Sequence, residues 1–355
     1  MSAPAFLLGL FLKEWLLLVS FVGLAGTSLL AGRLPALPWA DWEILFLLWA
    51  LFLAVRGLER SGAVLWVARK VERGPLLPLK LVALTFFLSM WVTNDVALVL
   101  LVPLTLALDA PRKDLLVILE ALAANAGSAL TPFGNPQNLF LYWTFHLSPG
   151  EFLLAIAPFS FFFLLVLCLG ALALRSAPPG PGREDPPAVK GSAWVHGLSL
   201  ALVILAVMRA LPMPVVFAVP AWALLFDRET LKVDYALLAT LLCFFGISGN
   251  LAPLLRGPLE SPQHVFYFSA LSSQVLSNVP AAVLFGKFTT QWKALLWGVS
   301  VGGFGGLVGS LANLIAYKIY LSRRENEGAV PFTLRFLGLS YLAFFLGMGL
   351  YAILG

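Results

Sequence analysis

Three polar residues stand together inside an otherwise apolar stretch, Trp91-Val92-Thr93-Asn94-Asp95-Val96-Ala97. Polar and ionisable groups in such a run are costly in lipid, and are tolerated where the chain lines a cavity or binds something. At the tip of a helical hairpin, freed backbone carbonyls, the Thr93 hydroxyl and the Asn94 amide can ligate a cation. Asp95 can act there as a carboxylate ligand or as a group that takes up and releases a proton; its plain structural role would be to cap the hairpin's second helix. A surface loop between two short helices is the competing reading, but no Lys or Arg marks a surface.

A second cluster reads Ala124-Asn125-Ala126-Gly127-Ser128, then Thr131-Pro132-Phe133-Gly134-Asn135-Pro136-Gln137-Asn138. Two prolines and two glycines cannot continue a helix, so the helix must open. Opened ends offer N–H groups to an anion and carbonyls to a cation. Asn125, Ser128, Thr131, Asn135 and Asn138 add neutral hydrogen-bonding groups, more amides than a helix merely kinked by proline carries.

Both arrangements recur further on. Ser272-Ser273-Gln274 leads to Ser277-Asn278-Val279-Pro280, and Gly302-Gly303-Phe304-Gly305-Gly306 leads to Gly309-Ser310-Leu311-Ala312-Asn313. Asp41-Trp42 matches Asp234-Tyr235 at an offset of 193, Thr93-Asn94 matches Ser277-Asn278 at 184, and Asn138 matches Asn313 at 175. Paired Gly/Pro-interrupted segments in two halves point to a transporter's binding site. Gly302/Gly306 and Gly305/Gly309 also fit small-xxx-small helix packing. Asp95 has Val279 as its counterpart, so the two sites are not equivalent.

Other chemistries fit poorly. Gly246-Ile247-Ser248-Gly249 has the Gly-x-Ser-Gly pattern of intramembrane serine proteases. Its only later histidine, His264, lies in a short loop close to the same segment, where activating the serine is implausible. The glycine run has the wrong spacing for a dinucleotide fingerprint, and there is no Walker A sequence. Three scattered histidines and two cysteines, Cys168 and Cys243, give neither a metal cluster nor a disulfide framework.

The elements that hold these residues must cross a membrane. Of 355 residues, 60% are hydrophobic and 12% charged, and mean hydropathy is +0.91. A soluble domain carries roughly 45–50% apolar and about 25% charged residues, so a soluble enzyme and a peripheral protein are excluded. The net charge of +5 sits in short loops and does not indicate nucleic acid. The N-terminus lacks the pattern of a cleaved signal peptide and reads as retained.

Full crossings are expected near 15–31, 42–57, 151–174, 194–211, 213–226, 233–255 and 332–354. Segments 79–108 and 262–288 are expected as re-entrant hairpins, and 114–147 and 293–320 as broken helices. This predicts an all-α polytopic protein with about nine full crossings: a first inverted repeat over 1–174, a cytoplasmic linker over 175–193 and a second repeat over 194–355. With this threading, one face holds 18 of the 23 Lys and Arg, among them Lys13, Arg73, Arg175, Arg183, Lys318 and Arg324. The other face holds Arg33, Arg209, Arg256, Lys287 and Lys293. The positive-inside rule then puts the N-terminus in the cytoplasm and the C-terminus outside, in the inner (plasma) membrane.

At these residues the chain resembles the ion transporter superfamily of divalent-anion:sodium symporters, citrate permeases and arsenite permeases. Thr93-Asn94 and Ser277-Asn278 look like its hairpin-tip signatures, and Gly134-Asn135-Pro136-Gln137-Asn138 like its Gly-x-Pro-x-Asn break. Asn94-Asp95 and Gly309-Ser310-Leu311-Ala312-Asn313 are closer to arsenite permeases, and Val279-Pro280 departs from the dicarboxylate pattern. The resemblance implies an inverted repeat, hairpins meeting near mid-membrane, a homodimer, elevator-like motion, and an anion held beside cation sites.

The expectation is a secondary active transporter for a small anion, oxyanion or neutral arsenite-like species, coupled to Na⁺ or H⁺. Substrate would meet Thr93, Asn94, Asn125, Thr131, Asn135, Asn138, Ser277, Asn278, Ser310 and Asn313. One coupling-ion shell would be Thr93, Asn94, Gly134 and Asn138, its partner Ser277, Asn278, Gly309 and Asn313, with Asp95 linking movement to the ion. No cofactor is expected beyond bound Na⁺. The lack of a deep Arg disfavours clamping a highly charged anion. A cation/proton antiporter with Asp95 as carrier and a passive channel are the rivals.

Overall fold

The computed structural model describes residues 15–71, 76–108, 112–174, 188–255, 261–323 and 329–355, and all regular structure among them is helical. Residues 1–14, most of the linker (175–187), and Lys13, Arg73, Arg175, Arg183, Arg256 and Arg324 lie outside the described residues. The first part of the chain forms α1 (Trp15–Ala31), α2 (Trp39–Ser61) and a short α3 (Ala63–Val71). Next come α4 (Leu77–Val92), α5 (Asn94–Ala107), α6 (Lys113–Ser128), α7 (Pro136–Thr144) and α8 (Pro149–Leu172). The rest is α9 (Ala193–Val207), α10 (Ala218–Phe226), α11 (Tyr235–Leu255), α12 (Pro262–Leu276), α13 (Asn278–Gly286), α14 (Trp292–Gly302), α15 (Leu311–Ser322) and α16 (Ala329–Leu354).

Three helices among the described residues are long and apolar enough to cross a membrane by themselves: Pro149–Leu172, Tyr235–Ala252 and Ala329–Leu354. The expected short crossing at 213–226 is a 3₁₀ turn, Met213–Phe217, continued by the nine residues of α10. The segment between 58 and 78 holds a helix, α3, that the charge-rich sequence hid.

The helices around the polar segments pack crosswise. α4 lies on α6 and α12 lies on α14, so each hairpin's first arm meets the first half of its own broken helix. The second arms cross over: α5 packs on α15, and α13 on α7. Outside this body, α1 packs on α11 and α9 on α2. Phe304, fully buried in the second break, sits against Phe159 and Phe163 of α8, with ring centroids 5.6 and 4.6 Å away. Arg209, just past α9, donates to the carbonyls of Leu147, Trp143 and Tyr142 at 3.2–3.4 Å. Lys287, at the end of α13, pairs with Asp41 in the first turn of α2 at 2.5 Å.

Close approach sets the two tightest pairings. A Cβ on Gly127 would lie 2.1 Å from the Phe86 carbonyl oxygen, and one on Gly298 would lie 2.7 Å from that of Phe266. The small-residue spacing expected at Gly302/Gly306 and Gly305/Gly309 is not helical, because α14 ends at Gly302; the close-packed pair is Gly298/Gly302. Backbone cannot yield as a flexible side chain can. Gly127→Val and Gly298→Val are expected to destabilise the fold by about 1–3 kcal/mol or more, seen as a lower unfolding temperature in detergent. Gly338→Ala, with open space around its Cβ position, should leave that temperature unchanged.

Candidate functional site

Each hairpin turns on one residue. Thr93 joins α4 to α5 with φ 70° and ψ 154°, and Ser277 joins α12 to α13 with φ 74° and ψ 152°. L-residues rarely adopt this conformation, and a β-branched threonine there is an outlier. Asn94 and Asn278 begin the second arms, and both are buried.

The breaks are held by asparagine amides. Asn138 Nδ2 donates to the carbonyls of Ser128, Ala129 and Thr131 at 3.1, 2.9 and 2.9 Å. Its backbone N–H donates to Asn135 Oδ1, which caps α7. Asn313 Nδ2 does the same for Gly303 and Gly306, at 3.0 and 3.1 Å, while Ser310 caps α15. Thr131 Oγ1 ties the first break to the Met90 carbonyl at 2.8 Å. In the second, Gln274 donates to Gly302 and accepts from the Gly306 N–H. Gly305 between them has φ +84°, and a Cβ there would meet Gln274 Oε1 at 2.4 Å, so only glycine fits.

Asn125 joins the halves. Its Oδ1 accepts from Asn94 Nδ2 at 3.2 Å and Ser310 Oγ at 2.9 Å, and its Nδ2 donates to Asn313 Oδ1 at 2.8 Å. The Asn278 N–H donates to the Gly309 carbonyl at 2.9 Å. Asn94 is therefore linked through Asn125 to the second break.

A cavity of about 310 Å³ runs alongside. Its inner wall carries Asn94, Gln137, Ser277, Asn278 and Ser310, together with Asp95; Asp234 and Lys318 are exposed and form its rim. Asp95 Oδ1 is buried without a hydrogen-bond partner among the described residues, and so is Asn138 Oδ1. Asn94, Asp95, Ser277, Asn278 and Ser310 thus face the cavity. Thr93, Asn125, Thr131, Gly134, Asn135, Asn138, Gly309 and Asn313 are in the buried framework behind it. Gln137, Thr240, Asp234 and Lys318 line the cavity without having been named as site residues. Gln137 stood inside the quoted break motif and was legible; Asp234 and Lys318 read as ordinary loop and helix-end charges.

The serine of Gly246-Ile247-Ser248-Gly249 is fully buried and donates to the Val283 and Leu284 carbonyls at 3.0 and 2.9 Å. His264 lies against Phe268. Ser248 is a packing residue that anchors α11 to α13. Glu120, also fully buried, accepts from Thr105 Oγ1 at 2.5 Å and stands apart from the cavity wall.

An apolar, helical chain whose paired hairpin tips and helix breaks meet at a cavity has the form of a multi-pass membrane transporter. The chain belongs to the citrate transporter family, whose model matches residues 7–302. It is 35% identical over 303 residues to the inner membrane protein YbiR of Escherichia coli, covering 80% of this chain and 81% of that protein. Identity to an uncharacterized transporter of Methanocaldococcus jannaschii is 31% over 296 residues, 79% and 81% of the two chains. A shorter match, 35% over 126 residues, covers 33% of this chain and 26% of the silicon efflux transporter LSI3 of Oryza sativa subsp. japonica. These relatives are transporters and membrane proteins, not enzymes.

Asn125→Ala leaves the Asn94 amide and Asn313 Oδ1 buried without this partner, each unmet group costing about 1–3 kcal/mol. A marked fall in unfolding temperature is expected. Asn125→Asp replaces the donor facing Asn313 Oδ1 with an acceptor and should be at least as harmful, whereas Thr240→Val, at the cavity wall, should unfold near the wild-type temperature.

Proposed function

We propose that this chain is a secondary active transporter that carries a weakly charged oxyacid or an uncharged hydroxide, coupled to Na⁺ or H⁺. The observation that carries this reading is the charge of the cavity wall. Neutral amides and hydroxyls from both halves line it among leucine, valine and isoleucine side chains, and the charged groups there, among the described residues, are the carboxylates of Asp95 and Asp234 and the Lys318 ammonium at the rim. Citrate or succinate would bring two or three negative charges toward two carboxylates, and like charges at short range in a poorly screened site repel strongly. An arsenite-like hydroxide meets no such barrier. One relative is named for silicon efflux, and silicon dissolved at neutral pH is likewise an uncharged hydroxide. The family's name points to citrate, which makes citrate the decisive comparison.

In this reading Asn94, Gln137, Ser277, Asn278 and Ser310 hold the substrate. Asp95 and Asn138 supply unpartnered oxygens to the coupling cation. Thr93, Asn125, Thr131, Gly134, Asn135, Gly309 and Asn313 keep the tips and breaks in register. The matched dihedrals at Thr93 and Ser277 and the crosswise packing of second arms support an inverted repeat, 1–174 against 194–355. The hairpins and broken helices would then move as one body, elevator-like, within a homodimer. With the N-terminus cytoplasmic, Asp234 and Lys318 belong to the cytoplasmic side, so the cavity opens inward.

The test is uptake and charge movement in proteoliposomes, with Na⁺ or choline at fixed pH and with imposed pH gradients. Arsenite and silicic acid should accumulate against their gradients under one cation gradient; sulfate, phosphate, succinate and citrate should not. Asp95→Asn should cut accumulation at least about tenfold, equivalent to about 1.4 kcal/mol, while downhill exchange persists. Citrate accumulation would overturn the substrate assignment. Na⁺/H⁺ exchange independent of every solute would make the protein an antiporter, and flux that only runs downhill would make it a channel.

A further inference from the structure

Two basic side chains, Lys287 and Arg209, fasten the molecule at the end away from the cavity. α7 and α13 each begin at the cavity wall, with Gln137 and Asn278. Nine residues carry each helix about 13 Å from it, and the two helices pack on one another. Beyond the cavity the space along them is filled. Phe140 of α7 is buried with its ring 5.6 Å from that of Phe245, and a Cβ on Gly286 would meet it at 2.5 Å.

The far ends of this helix pair are tied to α2 and α9, which pack together and place no residue on the cavity wall. Lys287, one residue past α13, pairs with Asp41 of α2 at 2.5 Å and reaches the Phe245 carbonyl at 3.4 Å. Arg209, just past α9, donates to three carbonyls at and after the end of α7. The Asp41 and Lys287 side chains are only 6% and 16% exposed. An ion pair so removed from water adds little stability beyond what two apolar side chains would supply. Unlike an apolar pair, it can come apart and be hydrated.

The cavity rim carries the matching charges. Asp234 is the second-half match of Asp41, placed just before α11 as Asp41 is placed in the first turn of α2. It shares the rim with Lys318. No ion pair joins these two, and Asp234 Oδ1 accepts from the Leu237 N–H at 2.9 Å instead. The charges at one end are thus closed on each other, and those at the other end are apart.

We infer that Asp41 and Lys287, helped by Arg209, form a clasp that shuts the far side of the pathway while the cavity is open, and that Asp234 and Lys318 close the rim in the opposite state. This rests on reading the chain as an alternating-access transporter, and not on the identity of its substrate. Asp41 and Lys287 are positioning residues: they touch no solute and set how often each side is open. Removing one of them leaves the other charge buried without its mate, a cost that is relieved when α13 parts from α2.

The test reads the cavity and needs neither substrate nor coupling ion. Leu314→Cys, at a half-buried position on the cavity wall, is labelled with a small membrane-impermeant thiol reagent on full-length protein in nanodiscs. The signal is taken above that of protein carrying only the native Cys168 and Cys243. Lys287→Gln and Asp41→Asn should each slow labelling at least about threefold, as the cavity-open population falls. The charge swap Asp41→Lys/Lys287→Asp should restore the rate, and Lys318→Gln should not slow it. Where a variant of the pair does not fold, Arg209→Gln, which alters an exposed side chain, carries the comparison and should slow labelling in the same direction. Unchanged labelling in folded variants would overturn the clasp. A charge swap that recovers the unfolding temperature but not the labelling rate would make the pair a structural bridge, and would overturn it too. Slowed labelling in a protein whose wild type accumulates neither arsenite nor silicic acid would sink the substrate assignment and leave the clasp standing.

Discussion

A helix interrupted inside hydrocarbon leaves carbonyls that no water can reach, and every one must find a donor within the protein. Here that duty falls on two asparagines. Asn138 gathers three carbonyls of the first break and Asn313 two of the second. Once both are committed, the geometry of their neighbours follows. Asn313 Oδ1 becomes the acceptor for Asn125, and Asn125 in turn holds Asn94 at one hairpin tip and Ser310 at the other break. The cavity wall is thus the outer surface of a hydrogen-bonded frame, and moving one tip without the others would strand buried polar groups.

That coupling ties the two hairpins and the two breaks into one hydrogen-bonded frame. It also separates two kinds of polar residue that look alike in sequence. Asn125 and Asn313 have their polar atoms occupied by protein, whereas Asp95 Oδ1 and Asn138 Oδ1 do not. Groups of the first kind maintain shape; groups of the second kind are buried with no partner among the described residues.

Much of this was legible. Proline and glycine punctuation located both breaks, Thr93-Asn94 and Ser277-Asn278 located both tips, and apolar content fixed the membrane class. What escaped has identifiable causes. The Asn125–Asn313 bond spans 188 residues, and nothing in local pattern says which amides will meet. Asp234 and Lys318 look like surface charges because surface and cavity rim are both wet. Ala63–Val71 vanished into a loop because its arginine and lysine suggest solvent, although the other seven of its nine residues are apolar. Gly302 was grouped with the glycines that follow it, yet it ends a helix and packs against Ser273.

Thr93 and Ser277 hold a backbone conformation in which glycine sits at ease, and each side chain there costs about 1–3 kcal/mol. A directed-evolution screen for heat tolerance would accordingly be drawn to glycine at both junctions. It would be rewarding the loss of the two hydroxyls that the tips carry. Resistance to heat is therefore a misleading guide when engineering this protein, and selections on it should hold positions 93 and 277 fixed.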